Sequence, residues 1–595
     1  MTEFDFPFSE KLLLRKKAAL RRQLLGSDIE WVSKKIAVLG GSTTDEVVDQ
    51  LELFLLNYGI KPEFYQSEYG KYYEDAIFGN DKLDAFDPDI VYIHTNWRNI
   101  AGFPSVHDSE ETVCEMLNSQ YGKFESAWIS IKKKFGCPII QNNFDRPDCR
   151  LLGNRDIWDF RGQSNFVFRL NRLMYDYAEN HDDFYVNDID YIAACVGLDK
   201  WNSPFYWHMY KYICDLDAVP YLAANIANII KSVYGKNKKL LAVDLDNTIW
   251  GGVVGDDGAD GLQLGNETPK GEVFLAVQNY MKKLKEIGVI LAVNSKNDYQ
   301  NALDGLHHPD SVLNEDDFVA VEANWNSKDS NMLKIADDIS LGTDSFVFMD
   351  DNPAERDIVA KNVPGVSVPE LDRPENFIRL IDRGGYFETT VLSKEDQERT
   401  EQYRARALAK EAETAYSDYD EYLDSLEMRA SIRKFEDVYI QRIAQLTNKS
   451  NQFNLTTLRC TENDIRSMNE SDNYICLYGK LHDRFGDNGV VAVSVGEKTG
   501  DTVHIRLWLM SCRVLKRGLE DAMMNVFVEK VKELGCNKVI GYYFPTSKNS
   551  MVKELYSTFG FVLTQTADDG KTRWELDVKD YSARKTHISI DSCGQ

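Results

Sequence analysis

Short apolar runs, each closing on small or polar residues, recur along the 595-residue chain. In the first third they are KIAVLGGS (35–42), DIVYIHTN (89–96) and CPIIQNN (137–143). Apolar runs of this length read as strands buried on both faces, and a polar close is expected of parallel strands with a site at their carboxyl ends. The middle of the chain repeats the form in KLLAVDLD (239–246), GVILAVNS (288–295), FVAVEAN (318–324) and SFVFMDD (345–351). Helix-prone stretches separate the runs, so two α/β segments are predicted, over 1–235 and 236–382. A third segment, 427–580, mixes helices with strands such as HIRLWLM (504–510) and KVIGYYF (538–544). Between them, 383–426 reads as a helical linker, since residues 393–422 are charged and helix-prone, with the charges as a solvated face. Residues 581–595 read as a loose tail. No internal repeat is visible.

Composition narrows the class. An apolar content of 43 % supports packed globular domains, and the length requires more than one core. The net charge of −26 argues against general affinity for nucleic acid or anionic membranes. No run approaches the ~20 apolar residues of a membrane span. The opening residues place acidic and aromatic side chains first and alternate apolar with basic ones, which is not the order of a secretory signal. Lys11 to Leu25 reads as a basic amphipathic helix packed on its own domain, with partner docking as the minor alternative. The ten cysteines form no CxxC pair and no zinc-spaced cluster, and none lies between Cys214 and Cys460. They read as reduced thiols of a cytoplasmic protein.

The chemistry concentrates in the middle segment. Side chains two apart on a strand share a face, so Asp244 and Asp246 at the end of a buried strand point into one crevice. Two close carboxylates need a cation between them or a proton on one. A divalent metal such as Mg²⁺ meets the first need, and a protonated carboxyl able to act as general acid meets the second. Later strand ends add Ser295 for a phosphoryl oxygen, Lys328 as a point charge, and Asp350 with Asp351 as further metal acceptors.

The ordered set Asp-x-Asp, Ser, Lys, Asp-Asp resembles the haloacid dehalogenase (HAD) superfamily of aspartyl phosphotransferases. The fuller text DLDNTIWGGVVGDDG, NSKND and FMDDNPAERD is similar to its FkbH-like members, phosphatase subfamily IIIC. LTNKSNQFNLTT, DRFGDNG and LMSCRVLKRGLE extend the resemblance into the last segment. It implies that Asp244 attacks phosphorus and Asp246 handles the leaving-group and water protons, while Ser295 and Lys328 hold the phosphoryl oxygens. It also implies that Asp244, the Asp246 backbone carbonyl and Asp350 bind Mg²⁺, with Asp351 in support.

One departure bears on the subtype. Members that transfer a glyceryl group hold it as a thioester on a cysteine directly before the motif serine, and here that position is Asn294. Phosphatase action on a small phosphorylated metabolite or carrier-linked biosynthetic intermediate is therefore favoured over acyl (glyceryl-type) transfer. Direct loading of a carrier thiol stays open, as does a non-catalytic assembly role. The stretch from Trp250 to Gly288 is too short for a folded cap domain, which leaves the site open to water or to a bulky substrate.

The flanking segments carry weaker resemblances. GGST at 40–43, Gly70 in SEYGKY and Asn96 in IHTNW look like blocks of an SGNH hydrolase. This implies Ser42 as nucleophile, the Gly70 and Asn96 amides as oxyanion hole, and His208 as base. Phe205 stands where that family keeps an Asp, so a triad lacks its orienting carboxylate. The last segment resembles the GNAT acetyltransferase fold, with Gly518 in the turn that would face a pyrophosphate. Asn549 and Tyr556 complete a candidate site for an acyl donor or acyl carrier protein, and Tyr556 stands at a general-acid position. Glu520 in that turn would repel the pyrophosphate, which weighs against tight binding of coenzyme A and leaves carrier-bound phosphopantetheine, approaching without the nucleotide, as the alternative ligand. The expected architecture is thus α/β in three domains: SGNH-like flavodoxin-type, HAD-like Rossmannoid without a large cap, and GNAT-like mixed α/β.

Overall fold

A computed structural model describes residues 3–27, 29, 31–392, 403–405, 418–450, 452–511, 514–546 and 548–591. Most of the 393–422 linker helix expected from the sequence lies outside the described residues. Residues 3–233 with 388–391 form one compact unit, and 234–387 with the described residues from 392 onward form a second.

In the first unit five parallel strands, β1 (Val32–Gly40), β2 (Ile60–Gln66), β3 (Ile90–His94), β4 (Ile139–Asn142) and β5 (Phe184–Asn187), lie in the order β2-β1-β3-β4-β5. Ile36 to Leu39 and Ile90 to Ile93 are buried, as their apolar runs require. The sequence reading missed β2, whose residues IKPEFYQ alternate and include a proline, and the four-residue β5. The basic helix Glu10–Leu25 buries Leu13 and Leu20. Its Lys17 pairs with Asp49 (2.6 Å) and Glu46 (3.1 Å), and its Arg21 with Glu52 (2.8 Å), so its basic face meets acidic residues of the helix Asp45–Asn57.

The second unit carries two sheets. One is parallel, with β6 (Leu240–Val243), β7 (Ile290–Ser295), β8 (Phe318–Ala323) and β9 (Phe346–Met349) in the order β8-β7-β6-β9. β6 and β9 are buried along their whole length. The segment after Trp250 holds only a four-residue helix, Val254–Asp257, a 3-10 turn and the helix Pro269–Glu286, so no large cap exists there. The other sheet is mixed, as the resemblance of the last segment implies. Its strands are β10 (Arg429–Lys434), β11 (Phe453–Asn454), β12 (Tyr474–Asp483), β13 (Gly486–Thr499), β14 (Thr502–Met510), β15 (Lys538–Tyr543), β16 (Val562–Thr566), β17 (Thr572–Asp577) and β18 (Ser589–Ile590). β14 and β15 run parallel, whereas β10, β12, β13 and β14 are antiparallel to their neighbours in turn. One core, built on Trp508, Met523 and Phe527, lies on one face of this sheet. The other face packs Ile443 and Leu446 against Cys476 and Val493.

Candidate active site

The central strand of the four-stranded parallel sheet, β6, lies between β7 and β9, so three strand ends meet at one edge. The Asp244 N–H donates to Met349 O (2.9 Å), which carries the ladder one residue past β6 and fixes its side chain at that edge. Asp350 and Asp351 follow β9 directly, and Lys328 opens the helix Lys328–Asp338.

The ligating oxygens of Asp244, Asp350 and Asp351 lie within 4.8 Å of one another. Asp350 is fully buried, and Lys328 is only 2 % exposed. The Lys328 ammonium lies 3.0 Å from Asp244 and 2.5 Å from Asp350. Burial disfavours its charge, but the two carboxylates outweigh that and hold its pKa above the ordinary lysine value. Burial first, and then the Asp244 charge, push the Asp350 and Asp351 carboxyls up. Three carboxylate oxygens this close suit a small hard cation with oxygen ligands, so the donor set fits Mg²⁺.

Asp246 takes a different place. Its Oδ1 accepts from Trp250 Nε1 (2.8 Å) and the Val254 N–H (3.1 Å), and its Oδ2 accepts from Asn297 Nδ2 (3.1 Å). Its carboxylate is therefore held outside the three-carboxylate cluster, and burial raises its pKa. Asn247, at φ 56°, turns the chain between the motif and Trp250. Ser295 ends β7 and is 1 % exposed.

Several residues at the site carried no sequence signal of their own role. Trp250 is fully buried against Gly305, where a Cβ would come within 2.7 Å of the indole. Thr248 Oγ1 accepts from the Asp351 N–H (3.2 Å), and Arg356 donates to the carbonyls of Asp350 and Asp351 (2.8 Å each). Asn294 donates to Lys328 O (2.8 Å) and accepts from Asn331 (3.2 Å). At the position directly before Ser295 this chain thus has a buried amide that braces the start of the lysine's helix. Asn297, two residues past Ser295, reaches Asp246 only through the fold.

The flanking candidates fare differently. Ser42 and Asn96 stand just past β1 and β3, the adjacent strands at which the order of that sheet reverses. Ser42 Oγ and Asn96 Nδ2 are buried without a hydrogen-bond partner. The expected oxyanion amides are engaged, however: Gly70 N–H donates to Gly40 O (3.1 Å), and Asn96 N–H to Asn99 Oδ1 (3.0 Å). His208 is exposed on the helix Pro204–Tyr210 and forms no bond with Ser42. Ser42 Oγ and His208 are thus not hydrogen-bonded to each other.

In the last segment Gly518 has φ 80° and caps the helix Leu519–Glu533, a left-handed conformation that suits glycine. Asn549 fills all its side-chain hydrogen bonds internally. It accepts from Tyr543 (3.2 Å) and the Thr546 N–H (2.7 Å), and donates to Asn454 O and Phe544 O (2.9 Å each). Tyr556 is fully buried, its ring against Phe561 (5.0 Å between centroids), and burial drives its pKa far up. Asn549 and Tyr556 are thus both packed in the core, while Gly518 stands at the start of its helix.

A carboxylate cluster crossed by one lysine at the edge of a parallel sheet fits the HAD-like resemblance of the middle segment. That segment is followed in this unit by a mixed sheet, and the first unit is a second parallel α/β body. The chain is similar to the crystal structure of the N-terminal part of a Bacteroides fragilis protein that contains a phosphatase domain complexed with Mg. The two share 27 % identity over 63 % of this chain and 99 % of that one, with a TM-score of 0.58. Residues 35–231 match the family model of the FkbH N-terminal domain. A quarter of the chain (25 %) is also matched by the Escherichia coli ribosomal-protein-S18-alanine N-acetyltransferase, at 13 % identity over 94 % of that chain and a TM-score of 0.20. The GNAT domain of a Streptomyces lividans PAT protein matches 24 % of the chain, at 16 % identity over 89 % of its own length and a TM-score of 0.21. No curated protein matches the chain. Among the described residues, no helix is long and apolar enough to cross a membrane.

Proposed function

We propose that the protein is a Mg²⁺-dependent phosphatase or phosphotransferase that works through an aspartyl-phosphate on Asp244. Its substrate is a small phosphorylated metabolite or a carrier-linked biosynthetic intermediate. The observation that carries this reading is the meeting of Asp244, Asp350 and Asp351 within 4.8 Å, with Lys328 bonded to two of them. The Mg complex of the similar Bacteroides fragilis structure supports the same metal here.

Asp244, Asp350 and Asp351 would hold the ion. When bound, it neutralises their charge and that of the phosphoryl oxygens. The Asp244 carboxylate attacks phosphorus, forming one P–O bond as the ester P–O bond breaks. Lys328, kept charged by its two carboxylates, compensates the phosphoryl oxygens, and Ser295 donates to one of them. Asp246, with its pKa raised by burial, gives a proton to the leaving oxygen and later takes one from the attacking water. Trp250 and Asn297 keep that carboxyl oriented through both steps.

Release of phosphate from an aryl phosphate tests the reading. Turnover is expected to need Mg²⁺ and to vanish in Asp244→Asn; turnover unchanged by that substitution overturns it. The acyl-transfer alternative has less support, because Asn294 replaces the thiol and Asn549 and Tyr556 are committed to packing. The two unpartnered buried groups, Ser42 Oγ and Asn96 Nδ2, favour a second, polar-ligand site in the first unit. Labelling by a fluorophosphonate, lost in Ser42→Ala, is expected if that site is hydrolytic.

A further inference from the structure

We propose that the face of β10 and β12 left uncovered by the helix Ile440–Lys449 binds a small oxyanion-bearing molecule, one that carries phosphate or carboxylate groups. The antiparallel register pairs Arg429 with His482, Ser431 with Lys480 and Arg433 with Tyr478. Alternation puts these residues on one face. That helix packs Ile443, Ala444 and Leu446 into the cluster that contains Cys476 and Tyr478, and its cover ends there. Beyond it the face opens into a cleft of about 650 Å³, floored by Arg429, Arg433, Lys480 and His482. That volume is the scale of a small-molecule pocket, well short of a macromolecular interface.

A charged open sheet face is ordinarily a solvated one whose cations are matched by neighbouring carboxylates. Here three of the acids that line the cleft, Glu436, Asp483 and Asp487, already have partners. Glu436 accepts from the Tyr478 hydroxyl (2.5 Å), and Asp483 pairs with Arg517 and accepts from the Phe485 N–H (2.9 Å). Asp487 stands 3.8 Å from Lys480. Among the described residues, Arg429 and Arg433 have neither an ion pair nor a side-chain hydrogen bond. Two unmatched guanidiniums on a chain of net charge −26 call for an anion from outside. They lie about 13 Å apart along the strand at ~3.3 Å per residue, with Lys480 between them on the neighbouring strand. Their long side chains can converge on one anion and bind it bidentately. Tyr439 adds a flat apolar wall, with Lys480 Nζ 5.4 Å from its ring centre. Glu427 and Asp591, also lining the cleft, would repel a polyanion, so the ligand is small.

Calorimetric titration of the full chain carrying Asp244→Asn, in EDTA, tests this with two probes, inorganic pyrophosphate and malonate. Saturable binding of at least one is expected, weakened roughly tenfold or more by R429Q together with R433Q. Binding of pyrophosphate alone assigns a phosphorylated ligand, and binding of malonate alone a carboxylated one. Both arginines are exposed, so the fold should survive; K480Q provides a second variant with the same expected direction. Saturable binding of neither probe, or equal affinity in the double-arginine variant, overturns the proposal.

Discussion

Replacing Lys328 by Met removes the one cation that, among the described residues, is paired with Asp244 and Asp350. At an effective dielectric near 20, attractions at 3.0 and 2.5 Å come to about 5–7 kcal/mol each. Desolvation of a buried ion offsets several kcal/mol of this. The net effect of deleting one partner of a buried pair is about 3–5 kcal/mol of lost stability. Part of it is recovered by protonating Asp350, whose pKa already stands high. Without the lysine, that folded-state pKa rises further above the unfolded value. The variant then gains stability as pH falls through the folded pKa, and its deficit is largest near neutrality. Mg²⁺ should reduce the deficit, because it restores positive charge at the same carboxylates. A chain with several domains has no single unfolding free energy, so the readout must be local. Hydrogen exchange of peptides spanning β6, β7 and β9 supplies it. A loss under about 1 kcal/mol in EDTA at pH 7, or no recovery with Mg²⁺, would refute the electrostatic reasoning.

Asn297→Ala should slow turnover of alkyl phosphates roughly tenfold more than that of aryl phosphates, because only the poorer leaving group needs a well-aimed Asp246. Steady-state kinetics on matched esters checks it. Gly305→Ala places a Cβ 2.7 Å from the Trp250 ring. Overpacking should destabilise by about 1–3 kcal/mol even though alanine is the better helix former, which lowers the thermal midpoint. In the first unit two buried groups work against each other. Burial holds His94 neutral, with its pKa down to about 3, so stability falls as pH drops below about 6.5 and the unfolded chain alone takes the proton. Burial lifts Asp145 to about 6, so stability rises as pH drops from there toward about 4. The two trends oppose each other at up to about 1.4 kcal/mol per pH unit. Pulse proteolysis in urea at pH 6.5 and 4.5 should show Asp145→Asn losing stability on acidification and His94→Gln gaining it, relative to the parent.

What could be read from the sequence follows from where the information is local. A buried strand such as LLAV announces itself by composition, and a carboxylate directly after it announces an edge site. Asp244, Asp350, Asp351 and Lys328 were legible in this way, as were the parallel sheets. The half-exposed β2 and the long hairpin β12–β13 were not, because their faces are set by what packs on them. The hold on Asp246 comes from Trp250, Val254 and Asn297, which reach it only through space. Motif spacing also could not show that Asn549 spends every hydrogen bond internally or that Tyr556 lies under Phe561. Burial of those groups is a property of the folded core. At Ser42 the sequence placed the hydroxyl at the end of β1, but it could not show that the Gly70 N–H is taken by Gly40 or that His208 faces solvent.

The most direct test of the account is to quench the protein in acid during reaction with a phosphate ester and Mg²⁺, then map phosphorylation by mass spectrometry. The account predicts a phosphoryl group on the peptide that contains Asp244, absent in Asp244→Asn. Turnover with no such adduct, or an adduct on another side chain, would contradict it.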